Sequence, residues 1–397
     1  MMKKVLTTLF ISLGFFLGIS SGLMAQEGVT DTEIHIGQWG PQSGPAAPWG
    51  SVARGSGDYF KWINENGGIH GRKIVYHMFD DGYNPAKTKA GVKELQEGTG
   101  IFAWVGGVGT SSGLAVREYL MDKKVPWVGP STGSLAWVSP PYKYLFGVYP
   151  LYFSEAKTLV KYAVETMDKK RVAVIYLNDE YGKNGLRGAM EQLAVHNMEL
   201  VAEVPVEKSD TDMKPHVMKL RKSEADMVLL WVTPDAAVRI VGTAKAMQFT
   251  PQFMSTSTLS DFALMSHISK GLWEGVICAT FGELTDGDDP GMAQYKQEVF
   301  EKYASREERF SLFYTAGIMF AEPLIEGLKN TGRDLTTERF VTEMEKIKDF
   351  KGIGSLVSYK PYDADDIYSR QGARHTFLVE CLADGKTKKL TGWMRMD

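Results

Sequence analysis

The sequence predicts an α/β protein built as two doubly wound parallel-sheet lobes. Strand and helix patterns alternate along the chain without low-complexity segments or short repeats. The alternation runs through once and restarts near Arg171, and 397 residues exceed what one hydrophobic core ordinarily organises.

The first series opens with a strand at 33–37, a helix at 52–64, a strand at 73–79 and a helix at 87–96. Two short apolar strands follow, 102–105 and 125–128, and each runs into a turn of small residues, 106–112 and 129–134. A helix at 114–121 lies between them, a strand at 145–148 closes the set, and 155–167 is helical. The second series has strands at 171–177, 200–206, 227–232 and 252–255, alternating with helices at 184–196, 213–221 and 236–247. After a strand at 276–281 the apolar spacing is helical over 292–303, 312–328 and 337–347. Strands at 356–359 and 376–382 end the chain, the second followed by a hairpin turn at Asp384 and Gly385.

The two small-residue turns are the most informative stretch. In parallel α/β proteins ligands sit outside the carboxyl ends of strands, and a helix amino terminus there favours an anion. Both turns are rich in Ser, Thr and Gly and lack Lys and Arg, which points to a small carboxylate held by neutral donors.

The amino terminus carries Lys3 and Lys4, an apolar run over 5–19, small residues at 20–22 and then Ala25. That is the pattern of a secretory signal spanning 1–25, with cleavage expected after Ala25 and an exported, periplasmic product. No Cys follows the apolar run, so a lipoprotein anchor at that point is not expected. Removing the segment leaves about 372 residues and moves the formal charge from −3 to −5, since Lys3 and Lys4 are its only charged residues. Such mild acidity gives no footprint for nucleic acid or an anionic membrane. Cys278 and Cys381 are too few for a disulfide framework; they either pair or stay as buried thiols. The seven histidines are scattered, so neither a metal site nor a cofactor is expected. The acidic stretch 286–289 lacks the twelve-residue calcium pattern and reads as a solvated loop.

Four quoted stretches, with the two turns, carry a resemblance. They are GPQSGPAAPWG (40–50), INENGGIHGRKI (63–74), FDDGYNPAKT (79–88) and IYLNDEYGKNG (175–185). In this order they resemble type I periplasmic binding proteins and are similar to the leucine/isoleucine/valine-binding receptors of ABC importers. The resemblance implies two lobes joined by three chain crossings, near 149–151, 279–282 and 352–356, with the ligand between. Lobe 1 would comprise 31–149 plus 282–352, and lobe 2 would comprise 150–281 plus 353–397. It further implies a monomer that is not an enzyme, takes no cofactor, and docks on the permease subunits of its transporter.

Carried over residue by residue, the carboxylate donors fall on Thr110, Ser111, Ser112, Ser131, Thr132 and Gly133. Trp49 stands where the family has an aromatic wall, and Tyr181 where the second lobe closes down. Tyr149, Tyr152 and Trp231 lie near other site strands or the hinge. The positions that hold the amino-acid ammonium fall on Ser257 and near Tyr152, neither of which is acidic, with Glu155 and Asp261 a few residues away. A buried ammonium without an anionic partner is costly. The departure therefore favours a carboxylate without an α-amine, aromatic or aliphatic, over an amino acid. The bracing disulfide of some relatives is also missing, its positions being Tyr83 and Gly109.

Two enzyme readings compete. Residues 109–113, GTSSG, fit G-x-S-x-G between a strand and a helix, so an α/β-hydrolase would use Ser111 with a downstream acid and His375. One elbow on one sheet leaves the second series unexplained. A dinucleotide site is weaker still, because Ser112 stands where the third glycine after Gly107 and Gly109 belongs.

Overall fold

A computed structural model describes residues 26–396; the expected signal segment 1–25 lies outside the described residues. Two sheets organise the chain. The first contains β1 (Glu33–Gly40), β2 (Lys73–Asp80), β3 (Ala103–Val105), β4 (Trp127–Val128) and β5 (Leu145–Phe146), all parallel, in the order β2-β1-β3-β4-β5. Its inner strands are buried on both faces, which is why AWV and WV read as unbroken apolar runs rather than alternating ones.

The second sheet contains β6 (Val172–Leu177), β7 (Ala202–Val206), β8 (Met227–Trp231), β9 (Gln252–Ser255) and β10 (Ile277–Thr280), then β11 (His375–Cys381), β12 (Thr387–Lys389) and β13 (Met394–Arg395). The order is β12-β11-β10-β9-β8-β6-β7, with β13 also paired to β11. The run from β7 to β10 is parallel, as expected. The edge is not: β11 is antiparallel to β10, β12 and β13. The helices between β10 and β11, Leu312–Thr331 and Thr337–Glu345 among them, pack on the first sheet's side, and after β11 the chain turns back at Asp384 and Gly385.

Strand order reverses between β1 and β3 in the first sheet and between β6 and β8 in the second. Those switch points place the loops after β1, β3 and β4 opposite the loops after β6, β8 and β9. The chain passes between the sheets after β5, after β10 and before β11. The second and third passages pair with each other, Ser355 N donating to Phe281 O at 2.9 Å and Glu283 N to Ile353 O at 2.8 Å.

Helices Ser51–Glu65 and Leu312–Thr331 cross at glycines. A Cβ on Gly55 would lie 2.0 Å from the Tyr314 carbonyl, and one on Gly317 2.0 Å from the Val52 carbonyl. Two expectations are corrected, and the open question of the cysteines is answered. Residues 356–359 form no strand, Val357 making only isolated bridges to Phe350 and Ala373. The helix expected at 292–303 is interrupted by a π turn at Lys296–Phe300. Cys278 and Cys381 are both buried and unpaired with each other. Among the described residues no helix is long and apolar enough to cross a membrane.

Candidate ligand-binding site

The turn after β3 depends on backbone that side chains rarely allow. Gly106, Gly107 and Gly109 have φ of 60°, 86° and 105°, and a Cβ on Gly107 would strike the Trp39 ring at 2.4 Å. Three indoles hold the two turns from behind. Trp39 Nε1 donates to Val108 O at 3.2 Å, Trp127 Nε1 to Gly106 O at 2.8 Å, and Trp137 Nε1 to Thr132 O at 2.9 Å. With those carbonyls fixed, Thr110, Ser131 and Thr132 face a cavity in front of the strand ends.

The helix Thr110–Asp122 begins at this point, and its first N–H groups have no partner within the helix. Thr110 Oγ1 and Thr132 Oγ1 lie 2.6 Å apart and both are buried. Ser131 Oγ, also buried, makes no hydrogen bond to the described residues. Hydroxyls and a helix start thus converge at one end of a cavity between the lobes.

Aromatic rings make the rest of its wall. Trp49 sits at centroid distances of 5.6 Å from Tyr83 and 6.2 Å from Tyr181, and its indole N–H donates to Thr258 O across the cleft at 2.9 Å. Tyr152 packs against Tyr181 at 5.2 Å, and Tyr149 against Phe281 at 4.5 Å and Phe320 at 5.5 Å. These walls leave about 30 Å³ between them. Among the described residues, no Asp, Glu, Lys, Arg or His lines the cavity.

The structure brings Trp49, Thr110, Ser131, Thr132, Tyr149, Tyr152 and Tyr181 to that cavity. It places the other expected residues behind or beside it. Ser112 Oγ turns away to Asp81 Oδ2 at 3.0 Å and to Thr88. Gly133 is a spacer: its carbonyl accepts from Tyr152 N, and a Cβ there would meet Pro150 O at 2.0 Å. Trp231 is fully buried behind Tyr152 and Tyr181, lying against the helix Glu180–Val195 where Gly185 leaves it room. Ser257 is held by Glu155 and by Tyr149 Oη at 2.7 Å. Ser111 reaches across the cleft to Asp179 Oδ2 at 3.1 Å, and Lys208 pairs with that carboxylate while lying over the Tyr83 ring.

Neither nearby acid faces the cavity. Asp261 caps the helix Phe262–Ser269 through Leu264 N and accepts from Phe313 N at 3.1 Å. Glu155 is fully buried and accepts from Thr256 Oγ1 at 2.7 Å and from Ser257; burial pushes its carboxyl up to about 7.

Sequence reasoning missed Tyr83, Phe281, Thr258, Val52 and the trio Phe313, Ala316 and Phe320. The trio recurs at i, i+3 and i+7 on one helix, a spacing that marks the face but reads equally as core.

Residues 33–385 match the family described as "Periplasmic binding protein". The chain belongs to this family. It is a solute-binding receptor and not an enzyme, which removes the hydrolase reading; Ser111 spends its hydroxyl on Asp179 instead of a histidine. The receptor is 26% identical to the leucine-specific-binding protein of Salmonella typhimurium over 262 residues, covering 66% of this chain and 69% of that one. Its fold matches the fatty acid ABC transporter substrate-binding protein from Thermomonospora curvata with a TM-score of 0.84, at 22% identity over 94% of this chain and 95% of the other. It also matches a branched chain amino acid ABC transporter protein from Thermus thermophilus with bound valine, with a TM-score of 0.83 at 18% identity over 92% and 97%.

Proposed function

We propose that this receptor serves an ABC importer in the periplasm, capturing a small carboxylate without an α-amine and delivering it as a monomer to the membrane permease. The observation that carries the reading is the charge-free cavity. Thr110, Ser131, Thr132 and the helix start supply neutral donors for a carboxylate, and the rings accept an apolar body. An ammonium placed there would lose its water with no anion facing it. The fold itself carries both chemistries, one neighbour being described with fatty acid and another with valine. Capture on the first lobe is followed by closure of the second, since a ligand drives closure only as far as it binds the closed form better. Contacts available only on closure include Trp49 to Thr258, Ser111 to Asp179, and Leu135 N to Asn184 Oδ1 at 3.1 Å.

The test is a thermal-shift panel on ligand-stripped protein, pairing 3-phenylpropanoate with phenylalanine and 4-methylpentanoate with leucine, with benzoate added. A binder in excess over its Kd raises Tm by mass action. Stabilisation by the acids alone is the expected result. Stabilisation by the amino acids alone overturns the reading and makes Glu155 or Asp261 the amine partner.

A further inference from the structure

We propose that Glu155 and a chain of hydroxyls leading from it to the cavity couple the capture of a carboxylate to the uptake of one proton from solvent. The inference rests on the carboxylate reading above and adds a residue that nothing in the cavity wall discloses.

Glu155 is fully buried, and every group that faces it is neutral. Thr256 Oγ1, Ser257 Oγ and Ser257 N donate to its oxygens. Tyr149 from the preceding passage, Tyr152 from its own helix and Cys278 from β10 are the titratable groups that feel its charge. The helix Glu180–Val195 packed alongside presents Gly188 to Ala156 and the Phe153 carbonyl. Lys157, on the same helix as Glu155, is paired with Glu191 on the outside at 2.8 Å.

From Glu155 the hydroxyls run without a break. Ser257 Oγ bonds Tyr149 Oη at 2.7 Å, and Tyr149 is itself part of the cavity wall. The far end, Tyr149, shares the cavity wall with Thr110, Ser131 and Thr132, the donors assigned to the ligand carboxylate.

Each hydroxyl has one proton to donate, and an ionised carboxylate can only accept. With Glu155 ionised, Ser257 donates to it and Tyr149 donates to Ser257, so the Tyr149 hydroxyl shows the cavity only lone pairs. A bound carboxylate meets the wrong polarity. With Glu155 protonated the order reverses: Glu155 donates to Ser257, Ser257 to Tyr149, and the freed Tyr149 proton is available to the ligand. One proton is taken from water and ends on Glu155 Oε1; every hydroxyl keeps its own proton and only rotates. Protonation also avoids two unpaired anions in one charge-free interior. Burial has already pushed Glu155 up to about 7, so the exchange falls near neutral pH.

The experiment is titration calorimetry with the tightest binder among 3-phenylpropanoate, 4-methylpentanoate and benzoate, in MES and imidazole at pH 6 and in phosphate and Tris at pH 8. The difference in heat between buffers counts protons taken up. Uptake approaching one proton at pH 8 and little at pH 6 is expected, with Kd roughly tenfold weaker at pH 8. Glu155→Gln places a permanent amide donor against Ser257; it should bind without proton uptake, at one affinity across both pH values. Tyr149→Phe interrupts the chain and should remove the pH dependence with Glu155 intact. Acid binding without uptake in the wild type, or unchanged uptake in Glu155→Gln, overturns this inference alone. Failure of every acid to bind overturns the carboxylate reading and this inference with it.

Discussion

Trp49 of the first lobe and Thr258 of the second are joined by an indole N–H donating to a backbone carbonyl at 2.9 Å, at the rim of the cavity. The bond exists only while the lobes are together, so it belongs to the closed state. Trp49→Phe keeps a ring against Tyr83 and Tyr181 but removes the donor, leaving a buried carbonyl unpaired. A net hydrogen bond is worth about 1 kcal/mol, so affinity for the best acid of the panel should weaken about fivefold. The loss should appear in the dissociation rate, read by stopped-flow quenching, because capture precedes closure. An unchanged dissociation rate would show that closure does not use this bond.

Thr110 and Thr132 should be non-additive. Their hydroxyls share one hydrogen bond, so either alanine substitution strands the other hydroxyl as well as removing a donor. Each single variant should weaken acid binding about tenfold, and the double variant by less than the product. Calorimetry on the four proteins checks this. Unchanged affinity in the double variant would mean that the carboxylate lies elsewhere.

The two sheets were legible because parallel strands buried on both faces leave unbroken apolar runs, and the hydroxyl turns because two neighbouring strands both end in Ser, Thr and Gly without Lys or Arg. Trp49 and Tyr181 came from the resemblance rather than from periodicity. The wall contributed by Phe313, Ala316 and Phe320 was not legible, since nothing local separates a helix face turned to a cavity from one turned to a core. Trp231 misled for the same reason: a strand-end aromatic can face ligand or helix, and Gly185 decides it only once the fold brings the two together. The antiparallel β11 carries no signal of direction in its own residues.

Gly317 should not tolerate a methyl group. An added Cβ would lie 2.0 Å from Val52 O and 2.6 Å from Ser56 N, both backbone atoms that cannot swing aside. The helices Ser51–Glu65 and Leu312–Thr331 would have to separate, carrying Val52, Phe313 and Phe320 away from the cavity. Gly317→Ala should cost about 1–3 kcal/mol of stability and weaken acid binding as well, measured by denaturant melts and calorimetry. Loss of stability with unchanged affinity would show that this crossing does not set the cavity wall.

Glu322 makes the stability of the protein depend on pH in a defined direction. It is buried, accepting from Tyr295 Oη at 3.0 Å and from Ile353 N at 3.1 Å, and burial pushes its carboxyl up to about 7 from an ordinary 4.5. Below about pH 4.5 the group is protonated in both folded and unfolded chains and costs nothing. As pH rises towards 7 the unfolded chain releases the proton while the folded one retains it, so its contribution to stability falls, and above 7 the loss is complete. Glu322→Gln keeps the shape and cannot ionise, and its amide can accept from Ile353 N and donate to Tyr295. The variant should therefore melt higher than the wild type at pH 8, by an amount bounded at about 3 kcal/mol, and the difference should vanish near pH 4.5. Glu155 titrates identically in both proteins and cancels from the comparison. A Tm difference that stays constant from pH 4.5 to 8 would assign the effect to packing against Gly352 rather than to the buried charge.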